Sequence, residues 1–333
     1  MAVMTDAASP REIFVDRERW RWPETVFWLA ALSVVYFFPD YLTLASQVVI
    51  SGLFALSLDL LLGYTGMASL GHAAFFGLGA YTAGLLGKHG WQEPLSGLLV
   101  AGLVAGVVGF LCSLVVARLQ SIALLMVTLG IGVMLHEAAN QAQDLTGGDD
   151  GLQGVVISPL LGHFDWDIFG QTAYLYALAI AFLCFLAARR LVNSPFGLSL
   201  RGIKENPRRV PALGIKMRNR VIAVFTISAA LAGIAGGVLA QTTQFVGLEV
   251  LSFDRSAGVL IMLVLGGAGT LYGAFVGAAL FMIAKDFLSA SDPVYWYFWI
   301  GLLLCVVVAF GKGGVVGVTQ RAWAAVFGKR GLK

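Results

Sequence analysis

Charge is scarce in this sequence. Only 12% of its 333 residues are Asp, Glu, Lys or Arg, about half the roughly 25% of an average soluble domain. A chain so poor in charge cannot coat a water-facing surface of its own size, so most of its exterior faces lipid. Basic and acidic residues nearly cancel, 22 against 19, which excludes the basic face of a nucleic-acid binder. With 58% hydrophobic residues and a net charge of +3, intrinsic disorder is excluded as well. There are three cysteines, Cys112, Cys184 and Cys305, each inside an apolar run. They read as small buried hydrophobes and not as a disulfide scaffold.

Catalytic signatures are also missing. The Gly-Lys pairs at 87–88, 311–312 and 328–329 are followed by His89, Gly313 and Arg330, so no G-x-x-x-x-G-K-[ST] phosphate loop exists. His136-Glu137 opens like a zinc-protease helix, but the residue four past His136 is Asn140, which removes the second ligand. No G-x-S-x-G elbow occurs. These absences assign the chain no catalytic residue, no metal ligand and no cofactor of its own.

Long apolar runs are abundant. A helix needs about 20 apolar residues to cross the hydrocarbon core, and the candidates are 25–38, 43–62, 95–117, 121–140, 171–188, 221–246 and 294–311. Two further apolar stretches, 70–87 and 257–287, are rich in glycine. The expected fold is an all-α polytopic membrane protein of about 8 to 10 transmembrane helices with glycine-rich broken or re-entrant segments. Its expected divisions are an N-terminal arm (1–24), a transmembrane domain (25–311) and a basic tail (312–333). The first run lacks a small-residue cleavage site and reads as a retained span.

Lysine and arginine set the orientation. Segment 189–220 holds nine of them and segment 141–170 none, the latter carrying Asp144, Asp149, Asp150, Asp165 and Asp167 instead. The first segment is therefore expected in the cytoplasm and the second outside, and counting outward places both termini in the cytoplasm. The tail agrees only if 257–287 enters from outside and turns back at Gly266-Gly267-Ala268-Gly269-Thr270, or crosses as two short spans with 285–293 outside. On either count 19 of the 22 basic residues are cytoplasmic, leaving Lys88, Arg255 and Lys285.

Polar residues inside spans are costly in lipid and face a bundle interior or a pathway. Asp59, near the cytoplasmic end of its span, reads equally as an interfacial carboxylate, a helix-packing partner or a functional group. His136 and Glu137 fall near the outer end of theirs, where they suit a vestibule, and Gln241, Thr242, Thr243 and Gln244 suit a solvated cap. Small residues such as Gly77, Ala80 and Gly84 explain close helix packing. The break from Gly63 to Gly71 is a different matter, because it leaves unpaired backbone amides, Ser69 and His72 at a helix start. Transporters build sites for anionic groups at such breaks. The candidate substrate pathway is Thr65, Gly66, Ser69 and His72 with Gly266, Gly267 and Gly269, against a purely structural reading of the same glycines.

The basic loop carries Ser194-Pro195-Phe196-Gly197, then Glu205-Asn206-Pro207 and Ala212-Leu213-Gly214-Ile215. Pro195 suits a helix first turn, Pro207 interrupts, and Gly214 suits a stop. An orienting loop needs charge alone, whereas this one is punctuated and carries Leu200, Ile203, Val210 and Leu213, a pattern suited to a short helix docking into a partner.

Four separated segments resemble a known family: Gly63 to Gly77, Thr146 to Gly154, Ser194 to Asn206 and Leu265 to Gly273. Together, over about residues 40 to 310, they are similar to permeases of the branched-chain amino acid ABC importers, LivM type. The resemblance implies an ABC importer permease fold in a bacterial inner membrane. It also implies pairing with a second permease subunit (LivH type), two cytoplasmic ATPase subunits that use the ATP, and a periplasmic substrate-binding protein. The loop 194–216 then matches the ATPase-contacting segment, with Arg201, Lys204, Glu205, Asn206, Ala212, Leu213 and Gly214 as its candidates. Related permeases carry urea, other amides or aromatic acids, so the motifs speak for an importer more firmly than for leucine. The readings from other classes are a self-sufficient ion-coupled secondary transporter or channel and a non-transporting membrane scaffold.

Overall fold

A computed structural model describes residues 22–119, 121–160 and 170–293, with positions 162, 164, 166, 167, 295, 296, 298–302, 305, 314, 315 and 317. Most of the N-terminal arm and basic tail, Asp165 and much of the 294–311 run lie outside the described residues. The described residues form ten longer α-helices, α1 (Trp22–Phe37), α2 (Leu42–Thr65), α3 (Ala73–Lys88), α4 (Pro94–Val116), α5 (Ser121–Gln141), α6 (Gln171–Asn193), α7 (Pro195–Glu205), α8 (Met217–Thr243), α9 (Phe253–Gly266) and α10 (Leu271–Ser291), with a single extra turn at Gln143–Thr146. Among the described residues no strand forms, and the two antiparallel bridges, Leu152–Val246 and Leu160–Phe164, are isolated.

Six of these helices, α2, α4, α5, α6, α8 and α10, are long and apolar enough to cross a membrane. At 1.5 Å per residue, α3 with 16 residues and α9 with 14 rise only about 24 and 21 Å, short of a hydrocarbon core of about 30 Å. The exterior is apolar as a lipid solvent demands: Leu99 and Leu103 on α4 and Ile122, Met126 and Met134 on α5 all project outward. α2 is the central helix, 89% of its apolar window being buried, whereas α5 at 17% is peripheral.

Local chemistry sets the boundaries. α2 stops at Gly66, whose φ of 74° suits the left-handed cap; its N–H donates to the Leu62 carbonyl and that of Met67 to the Leu61 carbonyl. Ser194 and Ser252 cap α7 and α9 by accepting from the Gly197 and Arg255 amides. Small residues let helices touch backbone to backbone. A Cβ on Gly236 would collide with the Phe76 carbonyl and one on Gly79 with the Gly233 backbone, which locks α3 onto α8. Gly266, Gly273 and Gly277 pair α9 with α10 in the same way, forming a hairpin with its turn at Gly267 to Thr270.

The bundle has two distinct ends. At one, Glu24 of α1 forms an ion pair with Arg189 of α6 at 2.9 Å, beside α7, the end of α2 and the α9–α10 turn. At the other, the acidic segment folds inward, with Leu152, Val155 and Ile157 buried and Leu152 bridged to Val246. Gln241 departs from the expected solvated cap. It is fully buried, accepting from the Tyr176 hydroxyl at 2.6 Å and donating to the Pro94 carbonyl at 2.8 Å, and so ties α8 to α6 and α4.

Candidate functional site

Three stretches that are far apart in sequence meet at the α7 end. Asp59 is fully buried and its Oδ1 accepts from the Gly269 N–H at 2.6 Å, while its Oδ2 has no hydrogen-bond partner. One turn later on α2, the Gly63 carbonyl accepts from Lys204 Nζ at 2.7 Å. Gly63 is in contact with both neighbours, since a Cβ there would collide with Asp59 Oδ1 and lie 2.5 Å from the Gly269 nitrogen. Arg201, one turn before Lys204, sets its guanidinium over the Tyr64 ring at 5.4 Å. The last four carbonyls of a helix lack partners within it, and here a lysine from another element supplies one.

The candidates expected on the basic loop therefore divide into two groups. Arg201 and Lys204 turn toward α2, whereas Glu205, Ala212, Leu213 and Gly214 are exposed. Asn206 shapes the turn, its side-chain oxygen accepting from the Arg208 and Arg209 amides. Of the four apolar loop residues, Leu200, Ile203 and Val210 are buried within this chain, and Leu213 alone projects, 77% exposed. The apolar face of α7 thus packs on its own membrane domain, and the outward surface is the segment that follows it.

The Gly66 to His72 break runs back into the bundle without helical bonds, and α3 starts beside α5 and α9. The Ala73 N–H donates to Ser256 Oγ at 2.9 Å and the Leu70 N–H to Thr128 Oγ1 at 3.3 Å. Ser256 and Thr128 therefore satisfy amides that the sequence left unpaired. Gly71 lies against the Thr128 carbonyl and Gly132 of α5, where no Cβ fits. Thr65 bonds back to the Leu61 carbonyl at 2.6 Å, and Ser69 Oγ is buried without a partner. His72 has no solvent exposure, is stacked on Phe54 at 5.6 Å, and shares Nε2 with Ser57 Oγ at 2.9 Å and Ser228 Oγ at 3.5 Å. In this state it is a core residue tying α2 to α8.

Beside the break lies a cleft of about 230 Å³ between α5 and the start of α9, lined by Leu70, Leu129, His136, Leu251, Phe253 and Ser256 among others. It is mainly apolar, with two serines and one imidazole. Of the pathway and vestibule residues expected from sequence, His136 borders it and Ser69 adjoins its lining residue Leu70. Thr128, Ser252 and Ser256 were missed, because single hydroxyls in apolar helices carry no motif.

A family described as "Branched-chain amino acid transport system / permease component" matches residues 41–318. The chain is 29% identical over 302 residues, 84% of its length, to the high-affinity branched-chain amino acid transport system permease protein LivM of Escherichia coli, covering 70% of that protein. It is 27% identical over 323 residues, 89% of its length, to the protein of the same name from Salmonella typhimurium, covering 76% of it. It is 32% identical over 251 residues, 70% of its length, to the autoinducer 2 import system permease protein LsrC of Yersinia pseudotuberculosis, covering 66% of it. No solved structure matches the chain. With the family matched along most of the sequence and six helices fit to cross a membrane, this chain belongs to the branched-chain amino acid transport permeases.

Proposed function

We propose that the chain is the permease subunit of an ATP-driven importer that moves branched-chain or other hydrophobic amino acids into the cell by alternating access. It sits in the inner membrane with both termini in the cytoplasm, and two separate ATPase subunits supply the energy. It works with a second permease subunit of the LivH type, a kind also found among its relatives at 25% identity, and with a periplasmic binding protein. In the membrane, α3 and the α9–α10 hairpin act as broken or re-entrant elements, which with the run after Pro293 brings the helix count into the range of about 8 to 10.

The observation that carries this reading is the α7 loop. A capped helix is fixed to the membrane domain by buried Leu200 and Ile203, and in the segment after it Leu213 stands exposed, as do Glu205, Arg208 and Arg209. A rigid base with a projecting apolar tip and a charged rim suits a protein partner, and Glu205, Ala212, Leu213 and Gly214 form that ATPase-facing surface. The cleft beside Ser69 and Leu70, with the Gly266, Gly267 and Gly269 turn below it, lies on the substrate pathway. An amino acid with an apolar side chain suits its mainly apolar lining.

The autoinducer 2 import relative favours a second reading of the cargo, the same machine carrying a different small molecule such as urea, another amide or an aromatic acid. An ion-coupled transporter has less support: Asp59 is the one fully buried carboxylate among the described residues, and its Oδ1 is engaged by Gly269. The test is uptake of labelled leucine by cells lacking the gene, with affinity purification of the tagged chain. Loss of uptake and co-purification of two ATPase subunits are expected. Normal uptake, or a chain purifying without an ATPase, contradicts the reading.

A further inference from the structure

We infer that Asp59, Gly63 and Lys204 form the joint through which displacement of α7 reaches the Gly267 to Gly269 turn, with Lys204 as its positioning residue. The inference rests on the proposed docking of ATPase subunits at the α7 loop.

Three observations meet here. Lys204 is the last charged residue of α7 before Glu205, and among the described residues its ammonium bonds no carboxylate but a backbone carbonyl of α2, 141 residues away in sequence. That carbonyl belongs to Gly63, and the same turn of α2 holds the hairpin through the Asp59 to Gly269 bond. Gly269 and Gly267 have φ of 88° and 110°, backbone states that favour glycine, so the shape of the hairpin turn depends on these two residues. The absence of a side chain at Gly63 makes the joint continuous, since any added carbon would separate Asp59 from the Gly269 amide. Gly314 also packs against the Gly266-Gly267 backbone.

The mechanical consequence follows from the anchoring. Leu200 and Ile203 bury α7 against the membrane domain, Val210 packs beside Gly202 and holds the following segment to α7, and Lys204 with Arg201 over Tyr64 ties α7 to the end of α2. A push on the tip is therefore delivered to the Gly63 carbonyl and, through Asp59, to the turn below the cleft. Without the ammonium the link from α7 to the Gly63 carbonyl is lost, so α7 and the turn move less as one and less substrate is carried per ATP hydrolysed.

The measurement is substrate transported per ATP hydrolysed by the reconstituted complex, comparing wild type with Lys204→Met, Lys204→Arg and Asp59→Asn. Lys204 is at the surface and methionine keeps its apolar stem, so assembly is checked separately by co-purification of the ATPases. In assembled Lys204→Met complexes the ratio is expected to fall about tenfold, the weight of one charge-assisted hydrogen bond. Lys204→Arg restores it, and Asp59→Asn, which keeps an oxygen acceptor for Gly269, lowers it less. An unchanged ratio in assembled Lys204→Met complexes overturns the inference. So does failure of that variant to bind the ATPases, which would place Lys204 on the docking surface itself. A wild-type complex that does not couple hydrolysis to uptake refutes the proposed function instead, and this joint with it.

Discussion

Gly63 and Gly269 meet backbone to backbone. A Cβ on Gly63 would lie 2.5 Å from the Gly269 nitrogen, and one on Gly269 would lie 3.1 Å from the Gly63 carbonyl oxygen. The contact joins the central helix to the hairpin turn and exists because neither position has a side chain. Gly63→Ala is expected to break the Asp59 to Gly269 bond at a cost of about 1.5–3 kcal/mol, the range for hydrogen bonds to charged groups. A lowered melting temperature of the purified protein checks this, and an unshifted one would show that the turn relaxes without penalty.

His72 is predicted to act through stability and not through substrate affinity. It is fully enclosed and bonded to Ser57, so His72→Ala leaves a cavity in the core, at a cost of about 3 kcal/mol. The amount of folded protein in the membrane should drop, while the substrate concentration for half-maximal uptake stays the same in the protein that remains. A shift in that concentration at normal folded yield would instead place His72 on the pathway.

Gln241 is predicted to be a structural cross-link. Gln241→Leu deprives the Tyr176 hydroxyl and the Pro94 carbonyl of their partner, which costs about 1–3 kcal/mol. Thermal unfolding in detergent measures it, and Gln241→Glu, which can still accept from Tyr176 but cannot donate to Pro94, also reads out as a loss.

The cleft is tested by filling it. Val133 lines it and is 57% exposed, so Val133→Trp adds bulk without disturbing the core, and stability should change by no more than about 0.5 kcal/mol. Uptake should fall while ATPase subunits still co-purify. Uptake at the wild-type rate would remove the cleft from the pathway.

Leu213→Asp tests the docking tip. The side chain is 77% exposed, so the protein should fold and insert normally, while pull-down of ATPase subunits should fail. Retention of those subunits would move the docking surface elsewhere.

The parts of this architecture legible in the sequence are those that leave a local trace. Glycine density from Gly63 to Gly71 marks the interruption between α2 and α3, the Gly266-Gly267 pair marks the hairpin turn, and Ser194-Pro195 marks the start of α7. The partners are not legible. Asp59 pairs with a backbone amide 210 residues away, and an amide has no residue type to recognise. Gln241 sits in a polar run at a helix end, which reads as a solvated cap until Tyr176 and Pro94 close over it. The apolar stripe of Leu200, Ile203 and Val210 announces that something covers α7, and amphipathicity is silent on whether the cover is another protein or the same chain.

The central claim is that this permease takes its energy from separate ATPase subunits. Its most direct test is accumulation of labelled leucine in proteoliposomes holding the full complex with its binding protein, set against liposomes holding this chain alone under proton and sodium gradients. The account predicts accumulation by the complex that requires ATP, and none by the chain alone under either gradient. Gradient-driven accumulation by this chain without ATPase subunits or ATP would contradict it.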